Sequence, residues 1–512
     1  MKKYILAIDE GTTSCRAGLF DVKKNVFTCV KSAKFKLNFP KNAWVEFDAN
    51  EVWKAQKKVL LEVGENVEAK EIYGIGITNQ RESVVAWDRQ TGIAVYPAIC
   101  WQCRRTADFC NKLSAEKKEL IKQKTGLIVD PYFSATKFQW LFDNVPEIKN
   151  LAKQNRLCFG TIDSFLVFKM TGGAVFATDT TNASRTMLFN LKTLDWDNEL
   201  LSFFNLERKW LPKIMSSSEI YGETFVPNKV RKNDSKKSSE SENNSDYGVF
   251  DFPLKICSVI GDQQSALVGQ CCFEKGMVKN TYGTGCFALI NTGSEIRNCK
   301  KLITTVAYTI AGKTTYAIEG SAFNAGSLVE WLISIGLINS ASETENLALD
   351  VDDNGGVYLV PAFTGLGAPY WDSNARGAFL GLTRGTTKNH LVRAVLESMA
   401  FSTYDLFSTL KASDGEYIKE LRVDGGVAKN NFVMQFQSDL LGLKVKLPKD
   451  FESTLLGATF LAGLSSGAYS NLKEISTKWQ IQKEFTPKMN DDERQKLLDG
   501  WHKSVNMIIR KD

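Results

Sequence analysis

Two short stretches have the make-up of anion-holding turns: Asp9-Glu10-Gly11-Thr12-Thr13-Ser14 near the start, and Tyr282-Gly283-Thr284-Gly285 in the second half. Apolar, strand-like residues adjoin both: Ile5 to Ile8 and Ala17 to Phe20 around the first, Cys286 to Ile290 after the second. A hairpin tipped with Gly, Thr and Ser turns backbone N–H groups and hydroxyls toward one point, as a polyphosphate requires. One such turn in each half predicts a nucleotide clamped between two domains. Carboxylates supply the next feature. Asp262 ends the apolar strand Lys255 to Ile260 and precedes a helix-like run, which makes it a candidate general base. Together with Asp9 it has the oxygen donors to share a Mg²⁺ shell and an attacking hydroxyl. Arg81-Glu82, at the end of the strand Ile72 to Thr78, offers donors and acceptors to neighbouring hydroxyls. Adjacent strand residues face opposite ways, so both reach one ligand only if the chain turns there. Taken singly, an Arg-Glu pair is also an ordinary sheet-edge pair, and each aspartate an ordinary cap or turn residue.

Composition narrows the chemistry. At 512 residues, two domains of about 200–250 residues each are the simplest division. A charge of +6 is mild over this length, and no folded segment carries a basic stripe, so nucleic acid is not an expected partner. The five apolar or aromatic residues before Asp9 are too few for a secretory segment, and no later run reaches the ~18 that a membrane span needs. A cytoplasmic protein with no membrane partner is expected. Eleven scattered cysteines fit reduced thiols. With only His390 and His502, a Ser-His-Asp triad or a His-rich metal site is disfavoured, and base chemistry falls to a carboxylate.

The elements that must position these residues alternate, as in α/β proteins. A capping box, Asp48 with Glu51, opens a helix carrying Val52, Ala55, Val59, Leu60 and Val63. A strand Ser83 to Trp87 follows Arg81-Glu82. Residues 228–248 are rich in Lys, Ser, Glu and Asn, and read as an exposed or disordered insert. The second half repeats the first: a hairpin, helices near 325–337 and 390–410, and a strand Leu421 to Gly425 whose double glycine leads to a helix beginning near Asn430. Strand Lys444 to Leu447 and helix Ser453 to Ala462 complete it. Such a strand–Gly-Gly–helix junction lets a ligand approach the backbone. Gly312-Lys313-Thr314 reads as a hairpin turn and not a P-loop, and Cys100-Trp101-Gln102-Cys103 lacks a redox setting. The sequons at Asn182 and Asn243 are expected to go unused.

From Tyr4 to about Ala462 the chain resembles the FGGY carbohydrate kinases, and within them the members that act on glycerol. The segments that carry the resemblance are IDEGTTSCR (8–16), GITNQRE (76–82), WQCRRTADFC (101–110), DPYFSATKFQWLFDN (130–144), TNASRTMLFNLKTLDWD (181–197), GDQQSALVGQ (261–270), KNTYGTGCF (279–287), PAFTGLGAPYWD (361–372) and RVDGGVAKNNFVMQFQSD (422–439). The resemblance implies a two-domain, actin-like (ribonuclease H-like) α/β ATPase fold, with ATP and substrate in the interdomain cleft. The domains would be 1–261 and 262–512. The implied reaction is ATP-dependent phosphorylation of glycerol to sn-glycerol 3-phosphate. Arg81, Glu82, Tyr132, Asp262 and Gln263 would bind the hydroxyls, Trp101 and Phe287 would cover the C–H face, and Asp262 would act as base. Thr12, Thr13, Ser14, Arg16 and Thr284 would hold the phosphates, while Gly326, Gly426 and Asn430 would frame the adenosine. Asp9 and Asp262 would organise Mg²⁺, and a homodimer or homotetramer is implied.

Two residues depart from the family pattern. Glu10 replaces a usual Gln and is expected to add negative charge near the phosphates, changing nucleotide or metal affinity while activity persists. Glu330 stands where several relatives have Gln near the adenine, which puts that contact in doubt. Allosteric sugar-phosphate control is not carried over, because the insert at 228–248 replaces its region. Two other readings are a kinase of the same family for a longer sugar, against which the Trp101 and Phe287 walls argue, and an actin- or chaperone-like ATPase with no small substrate.

Overall fold

In the computed structural model, residues 2–509 are described except for 66, 227–246, 298, 300, 373 and 415–417. Most of the expected insert, and the Asn243 sequon, therefore lie outside the described residues. Its far end does not belong to it: Tyr247 is buried beside Phe168 and Phe225, and Gly248 N–H donates to Lys169 O at 3.1 Å.

A single sheet of 13 strands runs through the molecule. Its strands are β1 (Tyr4–Glu10), β2 (Ser14–Asp21), β3 (Val26–Lys34), β4 (Ile72–Asn79), β5 (Ser218–Glu223), β6 (Lys255–Gly261), β7 (Met277–Tyr282), β8 (Cys286–Gly293), β9 (Ile303–Ile310), β10 (Lys313–Ala322), β11 (Glu420–Gly425), β12 (Val445–Pro448) and β13 (Ile481–Phe485). Their spatial order is β13-β12-β11-β7-β8-β10-β9-β5-β6-β4-β1-β2-β3. Each half has the same plan. In the first, β1–β2 is an antiparallel hairpin and β4 and β6 extend the sheet parallel to β1. In the second, β7–β8 is the hairpin and β11 and β12 extend the sheet parallel to β7. The apolar runs of β1, β4 and β6 are buried almost throughout, as expected for parallel strands covered on both faces.

The helices that matter for the site are α1 (Ala49–Gly64), α2 (Ser134–Asn144), α3 (Thr180–Ala183), α4 (Asp262–Gly269), α5 (Gly326–Ser334), α6 (Lys388–Asp414), α7 (Asn431–Leu441) and α8 (Ser453–Ser466). Only part of the expected capping box forms. Asp48 accepts from Asn50 N–H at 2.8 Å, whereas Glu51 is exposed. Residues 427–429 form a short 3₁₀ turn between the double glycine and α7, so the helix starts one step later than the motif implies. The Gly312 segment is a tight hairpin turn between β9 and β10, with Ala311 and Gly312 at φ +48° and +74°.

Helix α8 comes late in the chain but packs on β1, β4 and β6 of the first half and along α4. A Cβ at Gly457 would lie 1.9 Å from Ser265 O, so only glycine permits this approach. The apolar cluster around it joins Ile5, Phe20 and Ile260 to Leu267, Leu456 and Leu461. Asp262, at the start of α4, thus leaves the sheet on a helix clasped by a segment almost 200 residues further along the chain. Among the described residues no helix is long and apolar enough to cross a membrane.

Candidate active site

Three neighbouring parallel strands stop at one level. Glu10, Asn79 and Gly261 pair laterally, so the residues after them, Gly11, Gln80-Arg81 and Asp262, emerge along one edge. In open α/β sheets this carboxyl edge is where ligands bind. The turn that the Arg81-Glu82 pair requires is present. Ser83 N–H donates to Arg81 O at 2.8 Å and Glu82 sits at φ +62°, which swings both side chains to the same region.

Both are buried and belong to a group of four ions. Arg81 Nη1 contacts Glu319 Oε2 at 2.5 Å, Arg185 Nη2 contacts Glu319 Oε1 at 2.9 Å, and Arg185 Nε contacts Glu82 Oε1 at 2.6 Å. Two cations and two anions cancel, which is what makes such burial tolerable. Burial alone would push the Glu319 carboxyl up, but Arg185 and Arg81 overcome it and hold it at about 2. Arg81 also has its Nε 3.0 Å from Asp262 Oδ1.

Asp262 keeps 27% side-chain exposure, on the open side of this cluster. Its Oδ1 also accepts from Gln263 N–H at 2.6 Å. Both contacts fall on Oδ1, which leaves Oδ2 the freer oxygen. Burial pushes the carboxyl up to about 6 against the pull of Arg81, with Glu82 and Asp9 adding to the rise. A carboxylate with that value is deprotonated at neutral pH yet more basic than an ordinary one, as a general base must be.

The first hairpin lies next to it. Gly11 N–H closes on Ser14 O at 2.9 Å, and the tip residues Thr12, Thr13 and Ser14 are partly or fully open to solvent. Trp101 Nε1 donates to Thr12 Oγ1 at 2.9 Å, and the Trp101 and Tyr132 rings meet edge-on at 5.6 Å. Arg16 is engaged with Asp9 and, at 2.6 Å, with Glu452. Glu10 corrects the expectation of added charge. It is completely buried, accepts from Gln80 Nε2 at 3.0 Å, and leaves Oε2 unpartnered. Burial drives its carboxyl well above the usual range, which favours the neutral form, the one that resembles the Gln it replaces.

In the second half, Tyr282 pairs with Gly425, so Gly283 and Gly426 emerge at one level. Gly326, at the start of α5, donates to Gly283 O at 2.9 Å, and a Cβ there would lie 2.7 Å from the same oxygen. Thr284 and Gly426 are exposed, and Gly426 has open space beside it. Asn430 caps α7 by accepting from Val433 N–H at 3.1 Å and donates to Thr344 Oγ1 at 3.1 Å. Glu330 faces solvent from α5. Phe287 is tied in through its carbonyl, which accepts from Lys279 Nζ at 3.1 Å.

Sequence reasoning missed Arg185, Glu319, Lys279 and Lys137, all fully buried. A charge inside an otherwise apolar strand is the signal that could have found two of them: Lys279 follows Met277-Val278, and Glu319 follows Ala317-Ile318. Lys137, on α2, donates to Tyr132 O at 2.6 Å and Glu82 O at 3.3 Å, and burial pushes it down to about 8. The Cys100 thiol is buried and pushed up to about 12, which removes it from redox use at neutral pH. Asn182 is buried as well.

Residues 4–232 match the model of the FGGY carbohydrate kinase N-terminal domain, and residues 278–466 match that of the C-terminal domain. The chain belongs to the FGGY family of carbohydrate kinases. It has that family's two-domain α/β fold, and the paired halves agree with the actin-like ATPase architecture expected from the sequence. The glycerol kinase of Carboxydothermus hydrogenoformans is 48% identical over 509 residues, 98% of each chain. Among solved structures, Plasmodium falciparum glycerol kinase with ADP superposes with a TM-score of 0.88 at 36% identity, covering 99% of both chains. The gluconate kinase of Lactobacillus acidophilus, at 24% identity over 99% of this chain and 98% of its own, shares the fold with a TM-score of 0.83.

Proposed function

We propose that this protein transfers the γ-phosphoryl group of ATP to glycerol, forming sn-glycerol 3-phosphate and ADP. The observation that carries the assignment is the joining of Arg81, Glu82 and Asp262 at one edge, beside the Thr12 hairpin, in a chain 48% identical to glycerol kinases end to end. A neutral hydroxyl must be oriented, relieved of its proton and kept from water. Arg81, Glu82, Tyr132 and Gln263 orient the hydroxyls, and Trp101 and Phe287 cover the carbon face. Asp262 Oδ2 takes the proton as the hydroxyl oxygen bonds to the γ-phosphorus and the bond to the bridging oxygen of ADP breaks. Arg81, fixed by Glu319, keeps Oδ1 occupied so that Oδ2 does this work.

Thr12, Thr13, Ser14 and Arg16 meet the phosphates from one half and Thr284 from the other, while Gly326, Gly426 and Asn430 frame the adenosine. The Asp9 and Asp262 carboxylates suit Mg²⁺, which takes one or two carboxylates and completes its shell with phosphate oxygens and water. Among the described residues no group of three or more His, Cys, Asp or Glu side chains is placed to hold a metal ion. When bound, the ion neutralises phosphate charge. In the proposed division, residues 1–261 present glycerol and 262–512 the nucleotide; the gap between the two family matches, which end at 232 and resume at 278, supports a division in this region. A cytoplasmic homodimer or homotetramer completes the proposal.

A coupled ADP-release assay tests it, with glycerol present, absent, or replaced by xylulose, gluconate and other polyols. Turnover should require glycerol and be fastest with it. A longer sugar phosphorylated faster would overturn the substrate, and glycerol-independent ATP hydrolysis would overturn the kinase reading.

A further inference from the structure

Lys279 has no part in the reaction as described, yet it joins three pieces of the site. It is completely buried on β7, and its Nζ donates to Gln263 Oε1, to Thr281 Oγ1 at 3.1 Å and to Phe287 O at 3.1 Å. Those three bonds use all three ammonium hydrogens. The charged groups around it are Asp424, Glu319, Arg81 and Asp262. Gln263 is partly exposed, and its Nε2 has no protein partner among the described residues.

We infer that Lys279 is a positioning residue that sets which end of the Gln263 amide faces the polyol. An ammonium group only donates, so the amide must turn its oxygen toward Lys279 and its NH₂ toward the cleft. Gln263 then meets the substrate solely as a donor and selects a hydroxyl oxygen placed to accept. Through Phe287 O and Thr281 the same ammonium ties this orientation to the strands of the second hairpin. The inference rests on the proposed reading that a glycerol hydroxyl meets Gln263.

The test compares wild type, Lys279→Met, Gln263→Leu, Gln263→Glu and the double variant Lys279→Met/Gln263→Leu, with KM measured separately for glycerol and for ATP. Lys279→Met should raise the glycerol KM on the order of tenfold, the loss of one buried hydrogen bond, with the ATP KM within about twofold. The double variant should be no worse than Gln263→Leu alone, because the lysine acts through the amide. Gln263→Glu keeps an oxygen on Lys279 but turns a second oxygen into the cleft, so it should raise the glycerol KM as Gln263→Leu does. That arm needs no change at position 279 and decides the matter even if Lys279→Met does not fold. An unchanged glycerol KM in Lys279→Met or in Gln263→Glu, or effects that multiply in the double variant, would overturn the role. Failure of the wild type to phosphorylate glycerol would instead overturn the underlying reading of function.

Discussion

The two Thr/Gly hairpins stand at equivalent places in the two halves, but their tips are held differently. Around the first, side chains do the holding. Arg16 reaches Asp9 and Glu452, Trp101 reaches Thr12, and Gln80 Nε2 spans Glu10 Oε1 and Gly11 O at 3.0 and 3.1 Å. Around the second, the backbone does most of it: Gly326 N–H to Gly283 O at 2.9 Å and Ala325 N–H to Thr284 O at 2.8 Å, with the Ser327 hydroxyl adding a side-chain donor to Thr284 O at 3.0 Å. The first hairpin is therefore coupled to the Trp101 ring and to charge. The second is coupled to the start of a helix and tolerates no Cβ at its contact. Under the proposed function, one copy of a duplicated plan would sense substrate and the other would grip the nucleotide.

The severest break comes at the residue that both hairpins serve. Asp262→Asn should keep its fold and glycerol binding but lose about 10²–10⁴-fold in kcat, the usual contribution of a general base. In the parent, kcat/KM for glycerol should fall as pH drops through about 6, where Oδ2 becomes protonated. Near-normal turnover in the variant would remove Asp262 as base. Next is the ion group beneath the first half. Glu319→Gln should lower stability by about 3–5 kcal/mol, read by denaturant midpoint, because Arg81 and Arg185 lose a buried partner. With its folded-state value depressed to about 2, Glu319 stabilises the fold above the ordinary carboxylate range, and that contribution disappears as pH falls toward 2.

The hairpins themselves come third. Gly326→Ala should raise the ATP KM on the order of tenfold, since backbone must move to admit the methyl, a cost of about 1–3 kcal/mol, while glycerol KM holds. Thr12→Val should instead raise both KM values, each by ~1 kcal/mol in binding terms, because Trp101 loses its acceptor. The same response from both variants would erase the contrast between the hairpins. The smallest effect is expected at Glu10→Gln. Turnover should change little at neutral pH, because burial of the parent carboxyl favours its neutral form. Stability should diverge in one direction only: a raised carboxyl loses its contribution as pH climbs from about 4.3 toward the folded-state value. The Gln variant should therefore gain on the parent by up to about 1.4 kcal/mol per pH unit across that window, as thermal melts at pH 4 and pH 8 would reveal.

Much of this was legible because the relevant chemistry is local. A run such as Ile5-Leu6-Ala7-Ile8 before Gly11-Thr12-Thr13 specifies both a buried strand and its turn. Asp262 and the Arg81-Glu82 pair were visible because each terminates an apolar strand. The buried charges Arg185, Glu319 and Lys279 were not read, since a charge is normally solvated and only its partners explain its burial. Those partners are distant in the chain: Glu319 lies 238 positions from Arg81. Glu10 departs from the sequence expectation for the same reason, because the rise of its carboxyl comes chiefly from burial, with only a lesser part from its neighbour Asp9.

The chain's own order of residues determined the strands, the two hairpins and the place of Asp262 at a strand end, since short-range periodicity and turn chemistry suffice for these. Tertiary structure alone decided that β1, β4 and β6 end at one level, that α8 returns to clasp the helix bearing Asp262, and that four buried ions neutralise one another. Those outcomes depend on lateral register and on electrostatics between remote segments, which no local pattern encodes.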